Sequence, residues 1–108
     1  MIVRSAYFEG QIKAEGRARF EQLVKDELAP RMRELPNIRR LCFYFGKEYE
    51  TPERPICFVV EHGYDSLDDV NTAKASPARE AITPALEELM TLFEGRVYHV
   101  NHEMDAIV

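Results

Sequence analysis

The sequence predicts an α+β domain in which four strands form one antiparallel sheet and two helices cover one of its faces. The hydrophobic period switches along the chain between two residues and about 3.6 residues, and the switches occur in the order β-α-β-β-α-β. Glycine or proline stands near most of the boundaries between these segments. The 108 residues are enough for one hydrophobic core, so we expect a single domain spanning residues 1–108.

The first half of the chain predicts a strand, a helix and a second strand. The segment MIVRSAYFEGQI is β-branched and aromatic, and Gly10 closes it. From Arg17 onward an apolar stripe predicts an amphipathic helix. Its members are Phe20, Leu23, Val24, Leu28, Met32 and Leu35. Pro30 removes a backbone donor inside this helix and is expected to kink or interrupt it. The tripeptide LPN ends the helix, and IRRLCFYFGKEY is the second strand.

The second half predicts a hairpin partner, two helical segments and a last strand. The segment ETPER is a turn, and PICFVVEHGY is the third strand. Asp65 or Ser66 caps a short helix that begins at DSLDD. The next helix, SPAREAITPALEELMTLF, starts with Ser76 as its cap and Pro77 at the first helical position. The fourth strand is FEGRVYHVNHEM. This order is the ferredoxin-like, or split βαβ, pattern, whose usual strand order is 4-1-3-2.

Composition excludes several classes of function. The formal charge of −5 argues against binding to nucleic acid or to an anionic membrane surface. No apolar run approaches the ~20 residues that span a bilayer, and the N-terminus lacks the pattern of a signal peptide, so we expect a cytoplasmic protein. Cys42 and Cys57 are widely spaced in apolar surroundings, and we interpret them as small strand residues rather than as zinc ligands or a disulfide.

Alternation along the strands divides the side chains between the two faces of the sheet, although a slip of one residue would exchange the faces. An almost purely apolar set is predicted to face the helices. It comprises Ala6, Phe8, Leu41, Phe43, Phe45, Ile56, Phe58, Val60, Tyr98, Val100 and Met104. The opposite set mixes aromatic and polar residues. It comprises Val3, Ser5, Tyr7, Glu9, Arg40, Cys42, Tyr44, Cys57, Val59, Glu61, Val97, His99, Asn101 and Glu103.

The mixed set is typical of a subunit interface that is buried but partly hydrated. We therefore predict a symmetric homodimer in which two sheets pack face to face. The interface residues expected from this pattern are Tyr7, Tyr44, Val59, His99 and Asn101.

The chain also resembles the EthD-like proteins of the dimeric α+β barrel superfamily. The resemblance rests on LAPRMRELPNIRRL, in which Pro30 precedes an LPN turn, and on DSLDDVNTAKASPARE, which contains the DSL and Ser76-Pro77 motifs. These motifs are short and structural, but they occur in the family's order over nearly the whole chain. Several members carry a histidine about two residues before the helix-1 proline, and Leu28 stands at that position here.

The resemblance implies a homodimer whose two sheets form a barrel. It also implies small, often aromatic or polyketide-like ligands in pockets lined by the sheet and the helices. Members of the superfamily include antibiotic-biosynthesis monooxygenases that use neither metal nor flavin, lactone isomerases and haem enzymes. On this basis we expect no cofactor, and a mechanism that does not depend on the missing helix-1 histidine.

The three histidines do not predict a metal site. In the strand order 4-1-3-2, His62 lies about 10 Å from the fourth strand, too far to share a metal bound at ~2 Å unless side chains reach across the first strand. His99 and His102 are three positions apart and point to opposite faces. His99 and Glu103 share a face but are separated by about 13 Å. On the interface face, His99 or Asn101 is expected to neighbour Ser5 or Tyr7.

Polar exceptions in the helix-facing layer indicate a different kind of site. His62, Tyr64, Arg4 and His102 lie towards strand ends, where a pocket between sheet and helices would open. We predict His62 or His102 as the general acid or base, because the pKa of histidine lies near neutrality.

Arg4 and Tyr64, together with the apolar Phe8 and Phe58, are predicted to contact the ligand. The leading hypothesis is a cofactor-independent monooxygenase or isomerase that acts on an aromatic or polyketide-like molecule. The alternatives are a non-catalytic, dimeric small-molecule-binding or accessory protein of a metabolic pathway, and a purely structural part of a larger assembly.

Overall fold

A computed structural model describes residues 1–108 and contains one four-stranded antiparallel sheet. The strands are β1 (Ile2–Ile12), β2 (Arg40–Phe45), β3 (Ile56–Tyr64) and β4 (Phe93–Glu103). The helices are α1 (Arg17–Gln22), α2 (Ala29–Met32), α3 (Leu67–Lys74), α4 (Pro77–Glu80) and α5 (Thr83–Thr91). The sheet has the order β2-β3-β1-β4, so the predicted ferredoxin-like class and strand order are confirmed. No helix is both long enough and apolar enough to cross a membrane.

The first predicted helix is interrupted just before its proline. α1 and α2 are joined by a π-helical segment, Leu23–Leu28, at whose end the Ala29 N–H donates to the carbonyl of Val24. Pro30 has no N–H, and its ring crowds the carbonyl of Asp26 four residues earlier, so the wider π turn relieves a clash that a regular α-helix would keep. The stripe that was predicted for this helix is buried, including Leu28.

The later helices begin where the sequence places their caps. The Ser66 hydroxyl accepts a hydrogen bond from the N–H of Asp69, and the Ser76 hydroxyl accepts one from the N–H of Arg79. Pro77 stands in the first turn of α4, and Pro84 stands in the first turn of α5, where the missing donors cost nothing. The second predicted helix is therefore divided into two segments, α4 and α5, and α5 begins at Thr83, next to Pro84, which lacks the N–H that a continuous helix would need.

Phenylalanine side chains pack against one another in the core on the helix-covered face. Phe58 is fully buried, and its ring centroid lies 5.1 Å from those of Phe8 and Phe20 in edge-to-face geometry. Edge-to-face aromatic packing of this kind adds to the gain from burial alone. Cys57, which lies where the register between β1 and β3 shifts, is buried, and its thiol donates to the Phe8 carbonyl. We call Phe8, Phe20 and Phe58 the phenylalanine cluster.

The registers confirm the predicted faces of β2 and correct those of β4. Leu41, Phe43 and Phe45 oppose His62, Val60 and Phe58 of β3. On the other side of β1, however, His99 opposes Ala6 and Tyr98 opposes Tyr7. Because directly opposed residues point to the same face, the prediction for β4 was wrong by one residue. His99 and Asn101 lie on the helix-covered side, whereas Tyr98, Val100 and His102 lie on the free face.

Two facing glycines allow β1 and β4 to approach closely near one end of the sheet. Gly10 and Gly95 oppose each other and both have positive φ, +149° and +145°. A Cβ atom at Gly10 would meet the carbonyl oxygen of Glu94, and one at Gly95 would meet that of Glu9. Glycine is required at both positions, since an L side chain would add backbone strain to a backbone clash.

Candidate active site

A cavity of about 580 Å³ lies between the sheet and the helices, next to the phenylalanine cluster, and Phe8 belongs to both. Such a volume is in the range of small-molecule sites. Its floor comes from β1, β3 and β4, and its walls come from helices. The lining residues on the sheet are Arg4, Ala6, Phe8, Val60, His62, Tyr64, Val97 and His99. Those on the helical side are Met32, Leu35, Ala73, Lys74, Arg79, Glu80, Ile82, Thr83, Leu86 and Met90. Most of these side chains are hydrophobic, with a few polar groups among them.

The polar groups on the floor meet because of the strand register. Arg4 is directly opposed by His62 on β3 and by Asn101 on β4. Tyr64 lies two residues beyond His62 on the same face of β3, and the two rings approach edge to face at 6.3 Å. Arg4, His62 and Tyr64, three of the four polar exceptions predicted for this layer, therefore form one polar cluster on it.

His62 is held as a neutral imidazole. Its pKa is lowered to about 4, first because burial disfavours the charged ring and then because Arg4, Arg79 and His99 repel a proton there. Its Nε2 lies 3.3 Å from the Sδ atom of Met32. A thioether sulfur accepts hydrogen bonds but has no proton to donate, so this contact favours the proton on Nε2 and leaves the Nδ1 lone pair available as a base.

The neighbours of His62 also have shifted pKa values. Burial raises the pKa of the Tyr64 phenol, an effect that the positive charge of Arg4 opposes. Burial lowers the pKa of Arg4, and repulsion from Arg79 lowers it further, whereas Tyr64 raises it. The Arg4 guanidinium forms no side-chain hydrogen bond and no ion pair, although all seven salt bridges of the molecule involve arginine. A half-buried cation without a partner in the site is suited to stabilise negative charge on a ligand.

Three site predictions need correction. His102 does not line the cavity: it lies on the free face, with its ring 6.3 Å from that of Tyr7. His99, which was predicted at the subunit interface, lines the cavity instead, and Asn101 shares its side of β4. Phe58 was predicted to contact the ligand, but it is enclosed in the phenylalanine cluster and does not line the cavity.

The one-residue error in the predicted faces of β4 has a physical cause. His99 and Asn101 lie on the helix-facing side of this edge strand but are exposed, so polar side chains are tolerated there. Its free side carries Tyr98, whose ring stacks on that of Tyr7 at 5.4 Å. Polar and apolar residues thus occur on the faces opposite to those that simple alternation expects.

Sequence reasoning missed the helical wall of the site. Arg79 comes from α4 and Lys74 from the end of α3, and both line the cavity across from the sheet. One signal was available for Arg79: it precedes Ile82 by three residues and Leu86 by seven, so it shares the buried stripe of the last helix. A charged residue on such a stripe indicates a pocket rather than a filled core.

Comparison with known structures places this fold among small ferredoxin-like proteins. An EthD family protein from Bacillus halodurans is 17% identical and matches 97% of this chain and 100% of its own length, with a TM-score of 0.75. An antibiotic biosynthesis monooxygenase is 18% identical over 100% of both chains, with a TM-score of 0.68. A dimeric protein of unknown function and ferredoxin-like fold from Bacteroides fragilis is 16% identical over 95% of both chains, with a TM-score of 0.69.

No protein-family model matches the sequence, and neither does any curated protein. The similarity to these solved structures confirms, at the level of the fold, the resemblance that the sequence motifs predicted.

Proposed function

We propose that the protein binds a small aromatic or polyketide-like molecule in the cavity and removes a proton from it with His62. The observation that carries this proposal is the convergence of a neutral imidazole, an unpaired guanidinium and a phenol in one apolar cavity of about 580 Å³. Apolar cavities with a few convergent polar groups and perturbed pKa values are the usual setting of small-molecule chemistry.

The chemistry begins with the Nδ1 atom of His62. This atom takes the proton of an acidic O–H or C–H group, which leaves a phenolate or enolate in the cavity. The Arg4 guanidinium stabilises that negative charge, and the same anion raises the proton affinity of His62 by offsetting the repulsion from Arg4 and Arg79. Return of the proton to a different carbon gives isomerisation. For oxygenation, the electron-rich carbon of the anion gives up two electrons to dioxygen and bonds to one of its oxygen atoms, and the resulting peroxide takes the proton back from His62. Loss of water from this hydroperoxide breaks the O–O bond and leaves a carbonyl group on the oxidised product.

Binding of 2-naphthol, a flat phenol, tests the site itself. We expect saturable binding in isothermal titration calorimetry, and we expect Leu86→Trp to weaken it at least tenfold, because Leu86 lines the cavity and the larger indole occupies part of the space. The matched control is Leu67→Trp, an exposed leucine at the start of α3, which should bind as the wild type does. Equal binding by both variants would place the probe elsewhere and refute the proposal.

The free face of the sheet supports a second part of the proposal, a homodimer. No helix covers this face, and it presents Tyr7 stacked on Tyr98 beside Val59 and Tyr44. Tyr44 donates a hydrogen bond to Glu61 at 2.8 Å. A half-exposed aromatic centre next to an internally paired polar group is typical of a subunit interface.

Sedimentation equilibrium at micromolar concentration tests the dimer. We expect the wild type to give about twice the 12.5 kDa chain mass. Tyr98→Glu should give the mass of a single chain, because the two-fold axis brings two buried carboxylates into one interface. Tyr49→Glu is the control, since Tyr49 is 39% exposed and Tyr98 is 40% exposed but only Tyr98 lies on the free face. A wild-type mass near 12.5 kDa would rule out the homodimer.

A further inference from the structure

Positive charge is concentrated at the cavity although the protein as a whole is acidic. The chain has 19 acidic and 14 basic residues, not counting histidine. Among the cavity-lining residues, by contrast, Arg4, Lys74 and Arg79 face a single carboxylate, that of Glu80. None of these four side chains takes part in any of the salt bridges of the molecule. Carboxylates are plentiful on this chain, so cations left unpaired at a cavity indicate an anionic ligand.

The three cations occupy two different parts of the cavity. Arg4 lies on the sheet beside His62, where the proposed proton transfer takes place. Lys74 and Arg79 come from the helical wall, Lys74 being exposed and Arg79 half-buried. Lys74 and Arg79 form what we call the cationic rim, and the partly exposed His99 of β4 also lines the cavity.

The charges of Lys74 and Arg79 affect the histidines that line the cavity. The pKa of His99 is lowered first by burial and then by repulsion from Arg4, Lys74 and Arg79. Arg79 also repels a proton on His62. Nη1 of Arg79 donates to the hydroxyl of Thr83 at 3.4 Å, a weak bond that leaves most of its donors available. One oxyanion at His62 and Arg4 would leave the positive charge of Lys74 and Arg79 without a partner.

We propose that the natural ligand carries a carboxylate in addition to the group that loses its proton, and that Arg79 and Lys74 bind this carboxylate at the cationic rim. This inference rests on the proposed function, because it uses the same cavity. The ligand class is an apolar, aromatic or polyketide-like acid with its carboxylate at the open end and its phenol or carbon acid at His62. An arginine fork and a lysine point charge are the donors that recognise a carboxylate.

Two matched probes test the inference: 6-hydroxy-2-naphthoate, which has a phenol at one end and a carboxylate at the other, and 6-hydroxy-2-naphthamide, its neutral counterpart. With the wild-type protein we expect the acid to bind at least tenfold more tightly than the amide in calorimetry, a gain typical of a charge-assisted hydrogen bond. Because the rim is partly exposed, this gain should shrink when the salt concentration is raised.

Arg79→Gln should weaken binding of the acid at least fivefold and change binding of the amide less than twofold. Lys74→Gln, at an exposed position that does not endanger folding, should have a smaller effect in the same direction. Arg54→Gln is the control, because Arg54 is an exposed arginine without an ion pair that lies away from the cavity, and it should change neither probe.

The outcomes separate the two proposals. Equal affinity of the wild type for acid and amide would overturn the carboxylate inference and leave the cavity as a site for neutral molecules. An equal loss of both probes in Arg79→Gln would show that Arg79 only supports the wall, and would overturn it as well. Failure of 2-naphthol and of both bifunctional probes to bind would remove the proposed function together with the inference.

Discussion

Replacing His62 by glutamine is expected to slow proton abstraction in the cavity by at least about 100-fold, the lower end of what a positioned general base contributes. Glutamine keeps a similar size and one hydrogen-bond donor for the sulfur of Met32, but it has no basic nitrogen. The measurement is the exchange of the C1 protons of 2-tetralone with D2O, followed by proton NMR. This ketone is a carbon acid because its C1 methylene lies between the carbonyl group and a fused benzene ring. Exchange requires only proton abstraction, the first step of the proposed chemistry.

His102→Gln is the matched control for this experiment. His102 lies on the free face against Tyr7 and does not line the cavity, so its loss should leave the exchange rate within about twofold. A protein that binds 2-naphthol but does not accelerate exchange would be assigned to the alternative function, a non-catalytic small-molecule-binding protein. Equal rates in the wild type and in His62→Gln would remove His62 as the base.

Acid should destabilise the folded protein through protonation of His62. In the unfolded chain His62 takes up a proton near pH 6.5, whereas in the folded protein burial and the charges of Arg4 and Arg79 lower its pKa to about 4. Between these values the unfolded state binds more protons, so the free energy of unfolding falls as the pH falls. The shift corresponds to a loss of about 3 kcal/mol, complete near pH 4 and absent above about pH 7.

Urea unfolding of the wild type and of His62→Asn between pH 8 and pH 4 measures this contribution. We expect the two proteins to show parallel stability above pH 7, and the variant to lose about 3 kcal/mol less than the wild type on acidification. The variant should retain a smaller acid loss, because the pKa of His99 is also lowered and acts in the same direction. Identical acid profiles for the two proteins would show that His62 is not buried as a neutral base.

Much of the fold could be predicted because local signals agreed with the tertiary arrangement. Ser66 and Ser76 cap helices where the sequence places them, and Pro30 and Pro84 interrupt helices as their chemistry requires. The faces of β2 were also correct, because the side that Leu41 shares with Phe43 and Phe45 is uniformly apolar and packs against the core.

The predictions were weaker where the surroundings of a residue depend on distant parts of the chain. The face of β4 could not be assigned by alternation, because its helix-facing side opens to solvent at His99 and its free side carries the aromatic Tyr98. Arg4, His62 and Tyr64 were identified as polar exceptions in apolar strands. Arg79 was not, because its place on the stripe of Ile82 and Leu86 indicates a buried side but not that this side faces the strands carrying Arg4 and His62.

Backbone NMR during titration with 2-naphthol tests the central claim, that the space between sheet and helices is the functional site. We predict saturable shift changes in the amides of residues on both walls of the cavity, among them Ala6, Val60, Ala73 and Ile82. The amides of Phe20 and Phe58 in the phenylalanine cluster should change little, because neither residue lines the cavity. Shift changes confined to the free face around Tyr7 and Tyr98, or none at millimolar probe, would contradict the claim.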